Sequence, residues 1–482
     1  MNYGIVLRVL GSILMLEALF MVPSLLISFY TGQVDRFAFL ITIIITGITG
    51  IILNRRKTPD RHIRPKDGLA IVTIGWVLVS IFGALPLYIS GSTSTYIDAL
   101  FEIVAGFTTT SAIIVSDVES LPLGILFWRS FTNWIGGMGI LVFTLAILPA
   151  LGISGFQLFK AETPGPIAGK FVPRIKDTAK ILYGTYITIT IIEVVLLMLG
   201  GMSLFESIVY TFGTVATGGF SIKNASLGAY NSNYIHFIVG LFMILSGVNF
   251  SIYYSLFKGR WKEILRDEEV KLYFVIILLA AIAIGINLYK TSYTSLGLAF
   301  KDSFFHVGSV ITTTAYYTTN FDLWPAFSKS ILLLLMFIGG CAGSTAGGMK
   351  IIRILIIFKV IKRDVLKIFH PRAVSPVKLN SRILPSETIA RIYSFAGLYL
   401  ILFALSTILI SLEGIDLVSA SSAVIASLSN IGLGFGIVGP MKSFSDFSQL
   451  SKLFLSLLML LGRLELFTLV ALLAPKNWKR EI

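Results

Sequence analysis

Four short segments of small and hydroxyl-bearing residues break the apolar runs of this chain: Thr108-Thr109-Thr110-Ser111-Ala112, Ala216-Thr217-Gly218-Gly219-Phe220, Thr312-Thr313-Thr314-Ala315-Tyr316 and Ser429-Asn430-Ile431-Gly432-Leu433. Each is followed by a further long apolar stretch. In hydrocarbon, irregular backbone persists only where protein buries it or where it lines a watery cavity. Four such segments at corresponding places imply four backbone loops gathered on one axis. Carbonyl oxygens arranged that way replace the hydration shell of a small cation. The chemistry on offer is ion coordination. Catalysis has no such support, because no His/Asp/Glu cluster, Ser–His pair or Cys–His pair falls at membrane depth.

The loops need elements to hold them. An acid stands ahead of each: Asp98, Glu206, Asp302 and Asp416 lie 13, 12, 13 and 16 residues before Ser111, Gly218, Ala315 and Gly432. A carboxylate in the first turn of a helix is stabilised by the macrodipole. Each approach therefore reads as a half-membrane helix whose negative C-terminal end points at mid-membrane and favours a cation there. The plainer role of each acid is an N-cap at the interface, and both roles share one placement.

Composition sets the solvent. Of 482 residues, 55% are hydrophobic and 13% charged, and the mean hydropathy is +0.86, too little charge to cover a soluble protein of this size. Apolar runs near 9–30, 37–53, 69–89, 124–149, 180–200, 235–257, 271–289, 328–360, 392–412 and 451–474 are long enough to span, about ten in all. The first is longer than a signal-peptide core and lacks a cleavage site, so it reads as a retained helix. Cys341 is the single cysteine, so an internal disulfide is excluded.

The net charge of +14 is unevenly placed. Basic residues crowd Arg55 to Lys66, Lys160 to Lys180, Lys258 to Lys271 and Lys359 to Arg391, with Lys476, Lys479 and Arg480 at the end, while the alternate loops are nearly bare. This is the positive-inside pattern expected of a multi-pass protein of the cell inner (plasma) membrane with both termini cytoplasmic. It is not the footprint of nucleic-acid binding, since no basic stretch carries a reading module.

With that topology each unit crosses out, dips halfway back and crosses in. The expected fold is an all-α integral membrane protein: four parallel repeats of membrane helix, pore helix and membrane helix around a central pore, plus an N-terminal two-helix hairpin. The boundaries are 1–66 for the hairpin and its loop, 67–150, 151–258, 259–360 and 392–482 for the repeats, and 361–391 for a cytoplasmic linker. Within that linker, Pro371 to Leu384 alternates apolar and polar residues around Asn380-Ser381, as a small hairpin would.

At this point a family likeness is visible. The stretches Gly106-Phe107-Thr108-Thr109-Thr110, Trp134-Ile135-Gly136-Gly137-Met138-Gly139, Lys160-Ala161-Glu162-Thr163-Pro164-Gly165-Pro166, Thr217-Gly218-Gly219-Phe220-Ser221, Gly343-Ser344-Thr345-Ala346-Gly347-Gly348-Met349-Lys350 and Gly462-Arg463-Leu464-Glu465 run in order over nearly the whole chain. They resemble the Trk/Ktr/HKT superfamily of potassium and sodium transporters, and most closely its Trk-type membrane subunit. The resemblance implies a homodimer in membrane lipid, one pore per protomer, with a cytoplasmic nucleotide-binding regulatory ring beneath that the linker hairpin could dock. It also implies a filter whose cation-facing residues here are Thr109, Thr110, Ser111, Thr217, Gly218, Thr314, Ala315, Ile431 and Gly432, with K⁺ and/or Na⁺ as the transported ion and no catalytic cofactor. The family usually has one glycine in each filter loop; read by residue type, the positions here are Ser111, Gly218, Ala315 and Gly432. Glycine reaches positive φ without steric cost. Ser111 and Ala315 therefore either weaken K⁺/Na⁺ discrimination, as Ser at the first position does in sodium-transporting plant members, or are tolerated in a potassium-preferring ring.

Below the filter, run 328–360 is interrupted by Gly339-Gly340-Cys341-Ala342-Gly343-Ser344-Thr345-Ala346-Gly347-Gly348. Gly339, Gly343 and Gly347 recur every fourth residue, the pattern of close helix packing. Each interior Gly costs about 1 kcal/mol relative to Ala, however, so an unbroken helix is disfavoured. A phosphate-binding loop is excluded, because Gly-x4-Gly-Lys-Ser/Thr is not satisfied. The resemblance makes this an intramembrane gating loop formed by Gly339, Gly340, Gly343, Ser344, Thr345, Gly347, Gly348 and Lys350. Arg463, inside another apolar run, is a functional candidate by its depth. The resemblance turns it toward the pore; the alternative is a buried ion pair, with Glu17 and Glu193 as buried acids and Glu465 badly placed around the helix. His306, in the third dip, either faces the pore or packs against neighbours. The expected function is channel-like monovalent cation transport, read as potassium uptake with weakened discrimination against sodium; the alternative is a cation-coupled symporter of a small solute.

Overall fold

The computed structural model describes residues 2–55, 64–139, 175–372 and 375–466. The stretch Lys160 to Pro166, the boundary at residue 150 and the basic C-terminal end lie outside them.

Helices make up nearly all the regular structure of the described residues. Tyr3–Phe20 continues, after a break at Met21 ahead of Pro23, into Val22–Thr31, and Asp35–Asn54 returns alongside. Small residues let this hairpin close: a Cβ on Gly11 would fall 2.6 Å from the Gly50 carbonyl oxygen. The four units then repeat. Their first helices are Pro65–Ile89, Ile175–Leu199, Glu268–Thr291 and Ser386–Ser411. Their half-membrane helices are Tyr96–Phe107, Leu204–Val215, Leu296–Ile311 and Leu417–Leu428. Their second helices are Leu123–Met138, Asn233–Ser246, Ala326–Ile338 and Gln449–Arg463.

Six described helices are long and apolar enough to span, or seven with Asn233–Ser246 and Phe250–Phe257 taken as one bent span. The expectation of about ten continuous spans is corrected in the second and third units, while runs 124–149 and 451–474 extend beyond the described residues. Asn233–Ser246 and Ala326–Ile338, at 14 and 13 residues, rise only about 20–21 Å, short of a ~30 Å hydrocarbon core. Run 235–257, expected as one span, bends by 95° at Gly247-Val248-Asn249. The bend has local causes: Asn249 Oδ1 caps the Ser251 N–H at 3.0 Å, and the Gly247 carbonyl accepts the Cys341 N–H at 2.9 Å. The expected run 328–360 is broken as well, and Ile351–Phe369 starts afresh beyond the glycine loop.

Three of the four acids stand at a helix start as expected, and two of them cap it. Thr95 accepts from the Asp98 N–H, Ser203 and Glu206 form a reciprocal capping box, and Asp416 is itself the N-cap. Bonds from the Ser419 hydroxyl and N–H hold the Asp416 carboxyl below the usual carboxylate range, so it stays charged at neutral pH. Asp302 differs. Its helix begins at Leu296, a turn earlier than expected, and its carboxylate instead accepts from the Tyr293 hydroxyl at 2.8 Å.

Loops segregate to two ends. At one end Asn224 meets Asp117, Ser448 meets Glu413, and the Phe444 N–H meets the Ile113 carbonyl. At the other, a two-stranded hairpin (Lys378–Leu379 with Arg382–Ile383) turns through Asn380 and Ser381, both at positive φ, and rests on the start of helix Glu268–Thr291. The basic loops 258–271 and 359–391 therefore share an end.

Buried charge is paired inside the first unit. Arg129 and Glu102 are buried and hydrogen-bonded, Glu102 also accepts the Ile114 N–H at 2.7 Å, and the Arg129 guanidinium lies 4.5 Å from the Phe220 ring centroid. Removing one partner of such a pair strands a charge at a cost of about 3–5 kcal/mol. We expect Arg129→Met to lower the thermal unfolding midpoint in detergent sharply, and Arg129→Met/Glu102→Gln to regain much of the loss. A double variant no better than the single would show that the charge pairing is not what stabilises this contact.

A candidate cation pathway through four backbone loops

Each half-membrane helix ends the same way. The Ala105 carbonyl accepts from the N–H groups of Thr110 (2.7 Å) and Ser111 (3.3 Å); Gly213 accepts from Gly218 (2.7 Å) and Gly219 (3.1 Å); Ser309 accepts from Thr314 (2.9 Å) and Ala315 (3.4 Å); Ala426 accepts from Ile431 (2.8 Å) and Gly432 (3.2 Å). Positive φ alternates along every loop, at Thr109 and Ser111, Thr217 and Gly219, Thr313 and Ala315, and Asn430 and Gly432. Alternating handedness turns successive carbonyls to one side, as a carbonyl-lined filter requires.

This geometry corrects the register in the second loop. Gly219, at φ +72°, is the counterpart of Ser111, Ala315 and Gly432. Gly218 matches Thr110, Thr314 and Ile431 one position earlier. Thr313, Asn430 and Gly219, outside the sequence-based set, complete the four equivalent triplets. The signal for Gly219 was present: it lies 13 residues after Glu206, as Ser111 does after Asp98 and Ala315 after Asp302.

The loops touch one another. A Cβ on Gly219 would fall 1.7 Å from the Thr314 carbonyl oxygen, and one on Gly432 would fall 1.8 Å from that of Thr110. Ser111 and Ala315 carry their Cβ atoms at φ 54° and 66° and pay the strain of that backbone. Supporting side chains fix the rest. Asn430 Nδ2 donates to Thr110 Oγ1 at 3.0 Å and to the Met459 carbonyl at 2.9 Å, and the Tyr316 hydroxyl donates to the Tyr210 and Phe220 carbonyls at 3.1 Å. His306 packs rather than facing the loops' axis, its ring nitrogens 2.8 and 3.2 Å from the Asp302 and Thr319 carbonyls.

A cavity lies on either side of the ring. One of about 650 Å³ is lined by Ser111, Gly219, Ala315 and Leu433, one from each loop, and the buried Ser111 hydroxyl has no hydrogen-bond partner among the described residues. The other, about 360 Å³, is lined by Asn430, Arg463, Lys350 and residues 342–348. The glycine loop closes directly on the ring from this second side: the Gly347 N–H donates to Thr313 Oγ1 at 2.8 Å, the Gly348 N–H to the Ser429 carbonyl at 3.0 Å, and Thr345 Oγ1 to the Val215 carbonyl at 3.1 Å. Gly339, Gly343 and Gly348 take positive φ, as does Lys350 at 74°; Gly340 packs on Ala346, Ser344 bonds the Cys341 carbonyl, and the Lys350 ammonium meets the Ala346 carbonyl.

Arg463 joins the loop to the ring. Its guanidinium donates to the Thr345 carbonyl at 2.9 Å, to the Gly137 and Gly136 carbonyls at the end of helix Leu123–Met138, and to Thr109 Oγ1 at 3.4 Å. A helix C-terminus is a favourable seat for a cation. Glu465 pairs with Arg353 instead, while Glu17 and Glu193 lie beside Gly83 and Thr214. Asn249, whose amide faces Gly343, is a further site residue that the sequence did not single out.

A family model described as TrkH, cation transport protein, matches residues 35–480. The chain belongs to the TrkH family. Relatives in it include the Trk system potassium uptake protein TrkH of Escherichia coli (strain K12), 37% identical over 99% of this chain and 100% of that one, and the Trk system potassium uptake protein TrkG of the same strain, 34% identical over 98% of each. The crystal structure of the potassium transporter TrkH from Vibrio parahaemolyticus matches with a TM-score of 0.89 and 34% identity, over 99% of this chain and 100% of that one. The protein is thus a multi-pass member of a cation transport family with the four-repeat fold.

The packing around the ring predicts opposite outcomes at equivalent positions. Ala315→Gly relieves a left-handed residue, about 1 kcal/mol, and should hold or raise thermal stability. Gly219→Ala drives a Cβ into the Thr314 carbonyl and should lower stability and abolish ion flux. Equal behaviour of the two variants would show that the close approach of Gly219 to the Thr314 carbonyl does not constrain the ring.

Proposed function

We propose that the protein takes up potassium by channel-like permeation through the triplets Thr109–Ser111, Thr217–Gly219, Thr313–Ala315 and Asn430–Gly432. The observation that carries this is the common loop geometry, a doubly accepting carbonyl and alternating positive φ in four copies, with a cavity on each side. The relatives' names, potassium uptake proteins, supply the ion. Transport rather than catalysis is the activity, and family membership with four parallel units favours permeation over a solute symporter. Both termini and the hairpin 378–383 face the cytoplasm of the plasma (inner) membrane, a reading that rests on the basic loops sharing one end. The protein works as a homodimer with a nucleotide-binding regulatory ring on that side.

In this reading Ser111 and Ala315 place two Cβ atoms at the mouth of the ring where glycine would leave backbone alone, and Na⁺ is rejected less strongly. Changing both to glycine should raise the K⁺/Na⁺ permeability ratio, measured by competitive flux in reconstituted vesicles. An unchanged ratio in a well-folded double variant would remove these positions from selectivity.

Gly339 to Gly348 and Arg463 act as one barrier below the filter. Two unit charges ~6 Å apart interact by roughly 3 kcal/mol at an effective dielectric near 20, which slows crossing by about two orders of magnitude. Arg463→Ala also frees Thr345, so basal Rb⁺ flux should rise by up to about that factor with the selectivity ratio unmoved. Correctly assembled Arg463→Ala protein that conducts no faster than the parent would make the arginine a structural tie only.

A further inference from the structure

Three consecutive residues at the start of helix Glu268–Thr291 face two different masters. Asp267 accepts from the Asn380 side chain at 2.9 Å, and the Glu268 N–H donates to Asn380 Oδ1 at 3.0 Å. The Glu268 carboxylate pairs with Lys359, whose ammonium also donates to the Lys378 carbonyl at 2.7 Å. Both residues thus grip the hairpin. Glu269, the next residue, is buried and turns the other way: its Oε1 accepts the N–H of Ala342, within the glycine loop, at 2.6 Å.

The same two parts share apolar packing. Ala342 lies in a small hydrophobic cluster with Val377, Leu379 and Leu384 of the hairpin, separate from the main core. They also share space, since Leu379 and Asn380 line the cavity that the loop residues 342–348 line. Packed groups move together because interiors are dense and resist local expansion.

We propose that Glu269 is a positioning residue for the glycine loop, and that the hairpin 377–384, by holding the helix end that presents Glu269, sets how often the pathway opens. This rests on the reading of Gly339 to Gly348 as a gate. The bond from Ala342 to Glu269 holds the loop against the ring, and the hairpin holds the helix end that presents Glu269. Loosening either lets the loop leave the ring more often, without touching the carbonyls that choose the ion.

The test uses the full chain in proteoliposomes, with Rb⁺ flux and the rate of maleimide labelling at Cys341, the chain's one cysteine, which is buried in the loop. Losing one buried hydrogen bond should shift the loop's balance about three- to tenfold. Glu269→Ala should therefore raise flux and Cys341 labelling together by that factor, with the Rb⁺/Na⁺ ratio unchanged, and Glu269→Gln, which keeps an acceptor, should recover most of the parent behaviour. Asn380 is exposed and its side chain bonds Asp267 and Glu268, so Asn380→Ala serves if Glu269→Ala fails to assemble; it should move both readouts in the same direction. In a variant lacking Ser344 and Thr345 neither substitution should add anything. Parent-level flux and labelling in Asn380→Ala and Glu269→Ala, beside a loop-shortened variant that does conduct faster, would overturn the proposal while leaving the gate standing. A loop-shortened variant no faster than the parent would overturn the gate itself.

Discussion

One carbonyl in each half-membrane helix, that of Ala105, Gly213, Ser309 or Ala426, accepts two successive loop N–H groups. Unsatisfied backbone polar groups cost several kcal/mol each in hydrocarbon, so this shared acceptor is what lets the chain abandon the helix at mid-membrane. Curling both N–H groups back onto one oxygen forces the left-handed residues at the first and third positions of each loop. The forced turn brings neighbouring loops into contact, and the second helices must then pack against loop backbone. A Cβ on Gly136 would fall 1.9 Å from the Phe107 carbonyl oxygen, and one on Gly462 2.2 Å from that of Leu428. The small residues of the sequence are placed by that demand.

Much of this was legible because hydropathy and small-residue runs are local. The four five-residue segments were visible as interruptions, and Gly339 to Gly348 stood out as too glycine-rich for a helix. Gly218 was misassigned because residue type was weighed above position: aligned from the helix ends, Gly219 takes the place. The break at Gly247-Val248-Asn249 was not legible. A single glycine in an apolar run is ordinary, and the partner that stabilises the bend, the Cys341 N–H, comes from a distant part of the chain. Asp302 misled for a similar reason: its spacing from the loop matches Asp98, but its helix gains a turn at Leu296 that residue pattern did not mark.

Buried charges were legible as places but not as pairs. Arg463 could be picked out by depth alone, yet its partners are carbonyls at a helix end and in the glycine loop, and no residue pattern announces a carbonyl. The bond of Glu465 to Arg353 depends on Ile351–Phe369 starting afresh after the loop. Tertiary geometry decides these matches, and side-chain type only limits them.

At the third position of the triplets, the left-handed residues with a Cβ belong to the first and third units and the two glycines to the second and fourth, so the mouth of the ring repeats every half turn rather than every quarter. A pore assembled from four identical subunits could not hold that pattern, because any change would appear four times at once. Encoding all four quarters in one polypeptide lets each be altered alone, and here opposite quarters carry residues of the same kind. One pair of opposite positions at the mouth carries a Cβ and the other does not, so single substitutions can change its outline in steps.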